Sequence, residues 1–261
     1  MKKILPTLDP IDPNQIISFK SHTYWGVADS KKFEFLLEEA IRLVTHGCFL
    51  GDNLFTWCRN NSALEDLSFR KAWQENIQNP ADQAIVWRRY ILACAAFHCL
   101  HIEGDFVECG VYIGTGIKTI VDYLGGKDFP RTFWGYDTFD YNPVPGHAFV
   151  GQQEGLYEKV LERFKDYPQV KLVKGLLPES FDGNEPDNIS FLHIGLNNLE
   201  AEISVLETLF NKVTSGGIIV LDDYEWAGIY RPQKIGESEW FDKLQYRIFP
   251  LPTGQGLILK R

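Results

Sequence analysis

The second half of the chain alternates short runs of β-branched and aromatic residues with amphipathic stretches. The runs lie at residues 105–109, 132–137, 169–175, 189–195 and 217–223. Between them, apolar residues recur at helical spacing, as at Ile117, Ile120, Val121 and Leu124. This alternation predicts a parallel sheet with crossover helices. The final segments YRIFPL and GLILKR are joined by a turn rich in Pro and Gly, so they predict an antiparallel hairpin that completes an α/β fold.

The first hundred residues follow a different pattern. Residues 1–30 carry three prolines and no sustained period, so they predict an arm, with order beginning near Lys31. Helical spacing then predicts helices at 33–44, 62–77 and 84–100. In the third helix, we expect one apolar stripe to be buried, formed by Trp87, Ile91, Cys94 and Phe97. We therefore divide the chain into a helical N-terminal extension at 1–100 and a main domain at 101–261.

Composition narrows the class of partner. With 44% hydrophobic residues, the chain can bury a large core. Its net charge of -9 and its lack of Lys/Arg clusters argue against nucleic acid and anionic membranes, which require clustered positive charge. We expect a small-molecule partner instead.

The cysteines and the longest apolar runs indicate the cellular compartment of the protein. The five cysteines are odd in number and form no C-x-x-C pair, which is typical of reduced thiols. The N-terminus lacks the apolar centre of a signal peptide, and residues 90–100 are only about half as long as a membrane span. We expect a cytoplasmic protein with no membrane partner.

The stretch VECGVYIGTG, residues 107–116, follows the first strand of the predicted sheet and precedes its first helix. Ligands of such sheets bind at this position, and Gly110, Gly114 and Gly116 would let the backbone approach one closely. A pyrophosphate would fit a G-x-G-x-x-G pattern, whereas this stretch has G-x-x-x-G-x-G after Glu108. An acid at that position suits an amine or a sulfonium, as in S-adenosylmethionine. A tight turn without any ligand is the third interpretation.

An acid also ends the second strand. Asp137 follows TFWGY, and a carboxylate there can accept hydrogen bonds from both hydroxyls of a ribose. A surface or capping Asp is the alternative, and Asp140 lies nearby in the following loop. Together with the glycine turn, Asp137 favours a cofactor that contains adenosine.

The order of several segments resembles the macrocin O-methyltransferase family of class I enzymes. The resemblance runs from about Gly51 to the C-terminus, through DNLFTWCRN, GDFVECGVYIGTG, YDTFD, FLHIGLNN, SGGIIVLDDYE and LPTGQGLILK. It implies a Rossmann-like methyltransferase sheet and transfer of a methyl group from S-adenosylmethionine to a hydroxyl of a sugar or natural product. The cofactor-binding residues implied are Glu108, Gly110, Tyr112, Gly114, Thr115, Gly116 and Asp137.

The resemblance also implies a divalent metal, usually magnesium, held by an Asp after the fourth strand and an Asp-Asp pair after the fifth. Such a dication would lower the pKa of the acceptor hydroxyl. Asp222 and Asp223 match the pair, but Gly195 stands where the first Asp is expected. Asn197 would be a weak neutral replacement, so bound Mg²⁺ is doubtful. Asp222 and Asp223 also have an alternative role as ordinary acids that end a strand.

Three functional hypotheses follow. In the first, the chain is an O-methyltransferase with a weakened metal site formed by Asp222, Asp223 and Asn197. In the second, it needs no metal, and a histidine is the general base, either His193 or His147. In the third, it binds S-adenosylmethionine without catalysing a reaction.

An NAD-dependent oxidoreductase is the enzyme class that competes with a methyltransferase for this fold. No Tyr/Lys or Ser/Tyr pair that would relay a proton can be placed in the sequence for it. Residues 140–153 form a long irregular loop that predicts either a lid over the acceptor or a passive surface loop. We also expect a homo-oligomer, and the helical N-terminal third would either cover one edge of the site or form a subunit contact.

Overall fold

A computed structural model describes residues 5–12, 14–140 and 153–261 of the chain. Ahead of the main sheet, these residues form three short strands and five α-helices. The strands are β1 (Phe19–Lys20), β2 (Cys48–Gly51) and β3 (Leu54–Trp57). The helices are α1 (Ser30–Ile41), α2 (Ser62–Glu65), α3 (Leu67–Asn76), α4 (Pro80–Ala84) and α5 (Val86–Cys99).

The three N-terminal strands correct the prediction of an arm followed only by helices. β1 pairs in parallel with β2, and β2 pairs antiparallel with β3, so order begins well before Lys31. β1 has only two residues and the other two strands have four each. Strands this short contain too few positions to show an alternating pattern, and they therefore escaped prediction.

The helix predicted at 62–77 is interrupted at Asp66. Asp66 has an extended ψ of 97°, and its Oδ1 accepts a hydrogen bond of 3.0 Å from the backbone N–H of Phe69. It thereby ends α2 and caps α3. Asp is among the strongest N-capping residues, and here that preference overrode the helical spacing.

The stripe predicted on α5 is also corrected. Trp87, Ile91, Cys94 and Phe97 are only partly buried, whereas the helix buries a different and wider set. Its fully buried apolar residues are Val86, Leu92, Ala93, Ala96 and Cys99. α5 packs between the main sheet on one side and the N-terminal elements on the other, so no single stripe describes it. The division at residue 100 stays a prediction, and α5 shares the core of the main sheet.

The main sheet has the predicted α/β architecture. Its strands are β4 (Asp105–Cys109), β5 (Phe133–Asp137), β6 (Val170–Lys174), β7 (Ile189–Ile194), β8 (Val213–Leu221), β9 (Phe249–Pro250) and β10 (Gly256–Leu259). Its helices are α6 (Thr115–Tyr123), α7 (Leu156–Phe164), α8 (Leu199–Leu209) and α9 (Arg231–Lys243). β4 to β8 are parallel, and β10 runs antiparallel to both β8 and β9, which confirms the predicted C-terminal hairpin.

Strand order places a crevice at one edge of the sheet. The order is β6-β5-β4-β7-β8-β10-β9, so the chain builds outward from β4 in one direction and then in the other. The reversal lies between β4 and β7. In open parallel sheets, ligands bind beyond the carboxyl ends of the strands at such a reversal.

Alternation along the strands determines which side chains reach that crevice. Phe106 and Phe191 point to the face covered by α5 and α6, where their ring centroids lie 5.4 Å apart. Two residues further on, each strand has a polar side chain on the same face. These are Glu108 and His193, which are directly paired across β4 and β7.

The N-terminal helix α1 confirms the helix predicted at 33–44, with bounds about three residues earlier. None of its residues is buried by the described part of the chain, and Leu36 is 55% exposed. Within the described residues, no helix is both long and apolar enough to cross a membrane.

Gly110 is the position where the fold leaves least room for a side chain. Its φ is +99°, and a Cβ built on it would overlap the carbonyl oxygen of Gly195. We expect Gly110→Ala to lower the free energy of unfolding by about 3 kcal/mol or more, because steric overlap adds to the cost of a left-handed backbone. Urea denaturation without any ligand measures this.

Gly183→Ala is the matched control. Gly183 has a φ of +68°, and no atom of the described residues lies within 4 Å of a built Cβ, so only the backbone cost of about 1 kcal/mol applies. Equal losses for the two variants would show that the contact between Gly110 and Gly195 does not constrain the fold.

Candidate functional site

A cavity of about 910 Å³ lies at the carboxyl ends of the parallel strands. Each strand from β4 to β8 contributes residues to its wall. These are residues 110–113, 115 and 116 after β4, Asp137 and Thr138 after β5, 175–179 after β6, 195–198 after β7, and Asp222 and Asp223 after β8. Glu108, His193 and Arg89 also line it. The structure therefore brings together almost all the predicted site residues of the main domain.

The glycine turn is shaped by close packing as well as by the cavity. Gly114 lies at the N-cap of α6 with a φ of +79°, and a Cβ there would stand 2.7 Å from the ring of Phe164. A Cβ on Gly116 would stand 2.5 Å from Oε1 of Glu108. Gly114 does not line the cavity, whereas Thr115 and Gly116 do. The N-cap residue Gly114 has no side chain to cap α6, so among the described residues the first backbone N–H groups of the helix can face a ligand.

Asp137 connects the ends of β4 and β5. Its Oδ2 accepts a hydrogen bond of 2.7 Å from the backbone N–H of Tyr112, and its Oδ1 accepts one of 2.6 Å from that of Phe139. Tyr112 has a φ of +50°, so the carboxylate stabilises a turn residue in a conformation that non-glycine residues rarely adopt. Oδ1 also accepts from the hydroxyl of Thr138 at 3.4 Å. Asp137 thus has a structural role, and Oδ2 retains a second lone pair that can accept from a ligand.

A row of charged side chains crosses the sheet beneath the cavity. Nδ1 of His193 lies 2.7 Å from Oε1 of Glu108, and Nε2 lies 3.3 Å from Oδ1 of Asp222. All three belong to the face that packs on α5 and α6, at the carboxyl ends of β4, β7 and β8. Glu108 and His193 are buried.

Both ring nitrogens of His193 therefore face carboxylates. Burial lowers the pKa of His193, but Asp222 and Glu108 together outweigh burial and raise it to about 9. At neutral pH the ring carries both protons and has no lone pair for a substrate proton. This arrangement speaks against His193 as a general base and gives it a role in holding the two carboxylates.

Arg88 binds the acid pair after β8, and the sequence pattern did not reveal it. Its Nη1 donates to Oδ2 of Asp222 at 3.1 Å, and its Nη2 donates to the carbonyl of Asp222 at 2.6 Å and to Oδ1 of Asp223 at 3.0 Å. Arg88 is buried near the N-terminus of α5. The one signal in the sequence was an Arg pair within the apolar stretch 84–100.

Charge separates the two acids of the pair. Burial acts to raise the pKa of Asp222. The charges of Arg88 and His193 outweigh burial and hold this pKa well below its usual range. The pKa of Asp223 is raised, first by burial and then by the charge of Asp222, with Arg88 opposing both. Of the two carboxylates, Asp223 is therefore the stronger base.

The predicted metal ligands do not form a cation site. Asp222 and Asp223 are both paired with Arg88, and Oδ1 of Asp222 also accepts from the side chain of Gln255 at 3.1 Å. Gly195 offers no side chain, and Asn197 is exposed at the cavity rim. Among the described residues, no group of three or more His, Cys, Asp or Glu side chains is placed to hold a metal ion. The residues present therefore do not fit the magnesium that the resemblance implied.

One predicted residue lies outside the described part of the chain, and several cavity residues were not predicted. His147, with the predicted lid, lies outside the described residues. Arg89 was missed, yet it lines the cavity with a side chain 16% exposed, and among the described residues its buried Nε has no hydrogen-bond partner. Residues 175–179 were also missed as a cavity wall, because nothing in their composition marks a ligand site.

The charged row predicts a pH dependence of stability. Since the folded pKa of His193 is raised from 6.5 to about 9, its contribution is complete below pH ~6.5 and is lost as the pH rises through about 9. We expect the difference in unfolding free energy between wild type and His193→Gln to shrink by about 3 kcal/mol over this range. Urea denaturation of both proteins at each pH measures it. A difference that stays constant from pH 6 to 9.5 would contradict a protonated His193.

Comparison with known proteins gives the following relatives. The chain is 26% identical over 141 residues to demethyldecarbamoylnovobiocin O-methyltransferase of Streptomyces niveus, covering 48% of this chain and 54% of that protein. It is 24% identical over 142 residues to a Streptomyces olivaceus enzyme, 8-demethyl-8-(2,3-dimethoxy-alpha-L-rhamnosyl)-tetracenomycin-C 4'-O-methyltransferase, covering 47% of this chain and 54% of that one. The chain thus spans about half the length of the curated relatives it matches.

Solved structures agree on the fold. The O-methyltransferase NovP superposes with a TM-score of 0.57 at 19% identity, over 76% of this chain and 89% of that one. CalS11, a calicheamicin methyltransferase, superposes with a TM-score of 0.52 at 17% identity, over 77% and 94% of the two chains. At these identities the likeness shows a shared fold, which confirms the predicted class I methyltransferase sheet.

The family profile described as macrocin-O-methyltransferase (TylF) matches residues 93–233, which is more than half of the chain. The matched region spans β4 to β8, with the glycine turn, the charged row and the acid pair. This protein belongs to the macrocin-O-methyltransferase family.

Proposed function

We propose that the protein binds S-adenosylmethionine in the cavity and transfers its methyl group to a hydroxyl oxygen of a small molecule. The observation that carries the proposal is the meeting of the glycine turn, Glu108 and Asp137 at the strand-order reversal. A pyrophosphate would be repelled by two carboxylates at this position, whereas a ribose and a cationic amino acid are suited to them. Family membership supports the same activity and not an NAD-dependent oxidoreductase.

The walls of the cavity suit the separate parts of that cofactor. Asp137 would accept hydrogen bonds from the ribose hydroxyls. Leu176, Leu177 and Pro178 form an apolar wall after β6 that suits the adenine ring.

The methionine end would lie on the other side of the glycine turn. Arg89 and the free N–H groups at the start of α6 can bind the carboxylate. The amine would meet Glu108, whose buried Oε2 has no hydrogen-bond partner among the described residues. Arg89 and Glu108 thus provide a positive and a negative side chain for the carboxylate and the amine of the methionine part.

The chemistry requires little covalent help from the protein. When bound, S-adenosylmethionine supplies a methyl group on a sulfonium, which an oxygen nucleophile takes by direct displacement. The chain must then align the acceptor and remove the hydroxyl proton. Asp223 is the proposed proton acceptor, because it lines the cavity and its pKa is raised, while Arg88 holds its Oδ1 in place.

Features of the cavity and the names of the relatives support a proposal for the acceptor class. Among the described residues, the wall contains no Lys and one Arg, Arg89. The cavity therefore lacks the cluster of positive side chains that would favour a phosphorylated acceptor. The names of the curated relatives are those of a demethyldecarbamoylnovobiocin O-methyltransferase and of a 4'-O-methyltransferase of a rhamnosyl tetracenomycin C. We propose a hydroxyl on a sugar or natural product as the target.

A non-catalytic role is the second candidate, favoured by one observation. The chain has Gly195 where the resemblance implies a metal-binding carboxylate. Formation of S-adenosylhomocysteine from S-adenosylmethionine with a sugar-containing acceptor separates the two functions. Tight cofactor binding without turnover on a broad panel of glycosides would favour the non-catalytic role.

Assembly, location and the exclusion of nucleic acid are also proposals. A homo-oligomer is supported by α1, where Phe35 and Leu36 are 61% and 55% exposed. All five cysteines are free thiols, which supports a cytoplasmic location. The net charge of -9 supports the absence of a nucleic-acid partner. Light scattering of the purified chain, cell fractionation and titration with DNA and RNA test the three in turn.

Cofactor affinity provides the first test. We expect Asp137→Asn to weaken S-adenosylmethionine binding about 10- to 100-fold, since hydrogen bonds to a charged acceptor are lost. Asp187→Asn is the matched control, because Asp187 is exposed in the loop before β7, at the opposite end of the strands. Isothermal titration calorimetry with S-adenosylmethionine and with NAD measures both variants and the wild type. Binding of NAD alone would overturn the proposal.

Removal of the proposed proton acceptor provides the second test. We expect Asp223→Asn to lower kcat about 100-fold or more while the affinity for S-adenosylmethionine stays within about twofold, because a general base acts on the chemical step. Glu207→Gln, on the exposed side of α8, is the control for a lost carboxylate. If kcat were unchanged in Asp223→Asn, the proton would have to leave by another route.

A further inference from the structure

We infer that the guanidinium of Arg88 takes the place of the divalent cation at the acid pair, so that this chain holds Asp222 and Asp223 without a metal. Asp222 and Asp223 are residues that the sequence resemblance assigned to magnesium. Three observations support the role of Arg88: its contacts with the two acids, the groups that enclose its side chain, and the net charge of the cluster.

The contacts of Arg88 use the groups that a cation would need. One nitrogen donates to Oδ2 of Asp222, and the other bridges the carbonyl of Asp222 and Oδ1 of Asp223, all within 3.1 Å. A planar guanidinium is suited to bridging two acids, because its donors form a rigid fork. A metal ion that bound both carboxylates would have to displace Arg88 or lie beside it.

Displacement of Arg88 is opposed by its surroundings. Its backbone N–H is fixed by Oδ1 of Asp52 at 2.9 Å, and its guanidinium carbon lies 5.5 Å from the ring centre of Trp226. A Cβ built on Gly254 would stand 3.2 Å from Nη2, so the backbone closes over the guanidinium. A neighbouring dication would also place like charges together in a site shielded from water.

Charge balance agrees with a substitution of one cation for another. Three carboxylates around a dication leave one net negative charge. Two carboxylates with one guanidinium leave the same charge. The carboxylate that is absent belongs to Gly195, where a built Cβ would lie 3.1 Å from Cβ of Asp222, so an Asp there would crowd a negative charge against the pair. The absence of an acid at position 195 is thus consistent with Arg88 as the cation of the cluster.

Arg88 acts here as a positioning residue. It does not line the cavity, whereas Asp222 and Asp223 do. Its part is to neutralise and orient the two carboxylates from behind. The consequence is a methyltransferase site that needs no added divalent ion.

The first experiment titrates the wild-type protein, treated with EDTA and without cofactor, with MnCl2. Electron paramagnetic resonance measures free Mn²⁺, and calorimetry with MgCl2 repeats the measurement. We expect no stoichiometric binding up to about 1 mM and no change in Tm between EDTA and excess MgCl2. A single site that binds more tightly than this and disappears in Asp223→Asn would overturn the inference.

The second experiment restores the missing acid and removes the guanidinium. Gly195→Asp alone is expected to gain no Mn²⁺ site, whereas the double variant Arg88→Met/Gly195→Asp is expected to bind one Mn²⁺ at least about tenfold more tightly than the single variant. Arg247→Met/Gly195→Asp is the matched control, since Arg247 is exposed and forms a surface ion pair with Asp242. A double variant that is folded by circular dichroism but binds no Mn²⁺ would show that Arg88 is not what excludes the metal. If the double variant does not fold, the wild-type titration still decides.

The role of Arg88 in a methyltransferase site rests on the proposed function, whereas the metal-binding experiments do not depend on it. Metal binding is measured without S-adenosylmethionine or an acceptor. A wild type that binds neither metal nor cofactor would refute the proposed function and leave the assignment of Arg88 intact. Turnover that is unaffected by EDTA would support both.

Discussion

The buried contact between Arg88 and the acid pair is the constraint on which the candidate site depends. Arg88 lies 134 residues from Asp222 in the sequence, and the contact joins α5 to the end of β8. Removing one partner from a buried ion pair commonly costs about 3–5 kcal/mol, because the other charge is left without compensation. The position of both carboxylates at the cavity is therefore linked to the position of α5.

That link extends in both directions. On one side, both oxygens of Asp52, in the turn between β2 and β3, accept from the first backbone N–H groups of α5, and burial raises the pKa of Asp52 to about 7. On the other side, Asp222 faces His193, which in turn faces Glu108 beside Gly116. The small N-terminal sheet thus belongs to the architecture of the site, since it caps the helix that carries Arg88.

Local pattern predicted the main sheet well. The five parallel strands appear within one or two residues of their predicted positions, except that β8 begins four residues earlier, at Val213. Apart from β6, an edge strand with Lys171 and Lys174, the runs are mostly apolar on both faces and bounded by polar or glycine residues. This is a strong signal for buried parallel strands. The N-terminal sheet and the break at Asp66 were missed because very short strands and a single capping side chain carry almost no periodic signal.

The sequence by itself determined the type of fold, the cofactor-like glycine turn, and the acids at the carboxyl ends of β4, β5 and β8, because these depend on neighbours within a few residues. Only the tertiary structure decided what those acids do. It placed Arg88 against Asp222 and Asp223, enclosed His193 between two carboxylates, and brought Gly110 against Gly195. The physical reason is that charge compensation and steric contact depend on distance in space, and the groups involved come from strands and helices that are far apart in the chain.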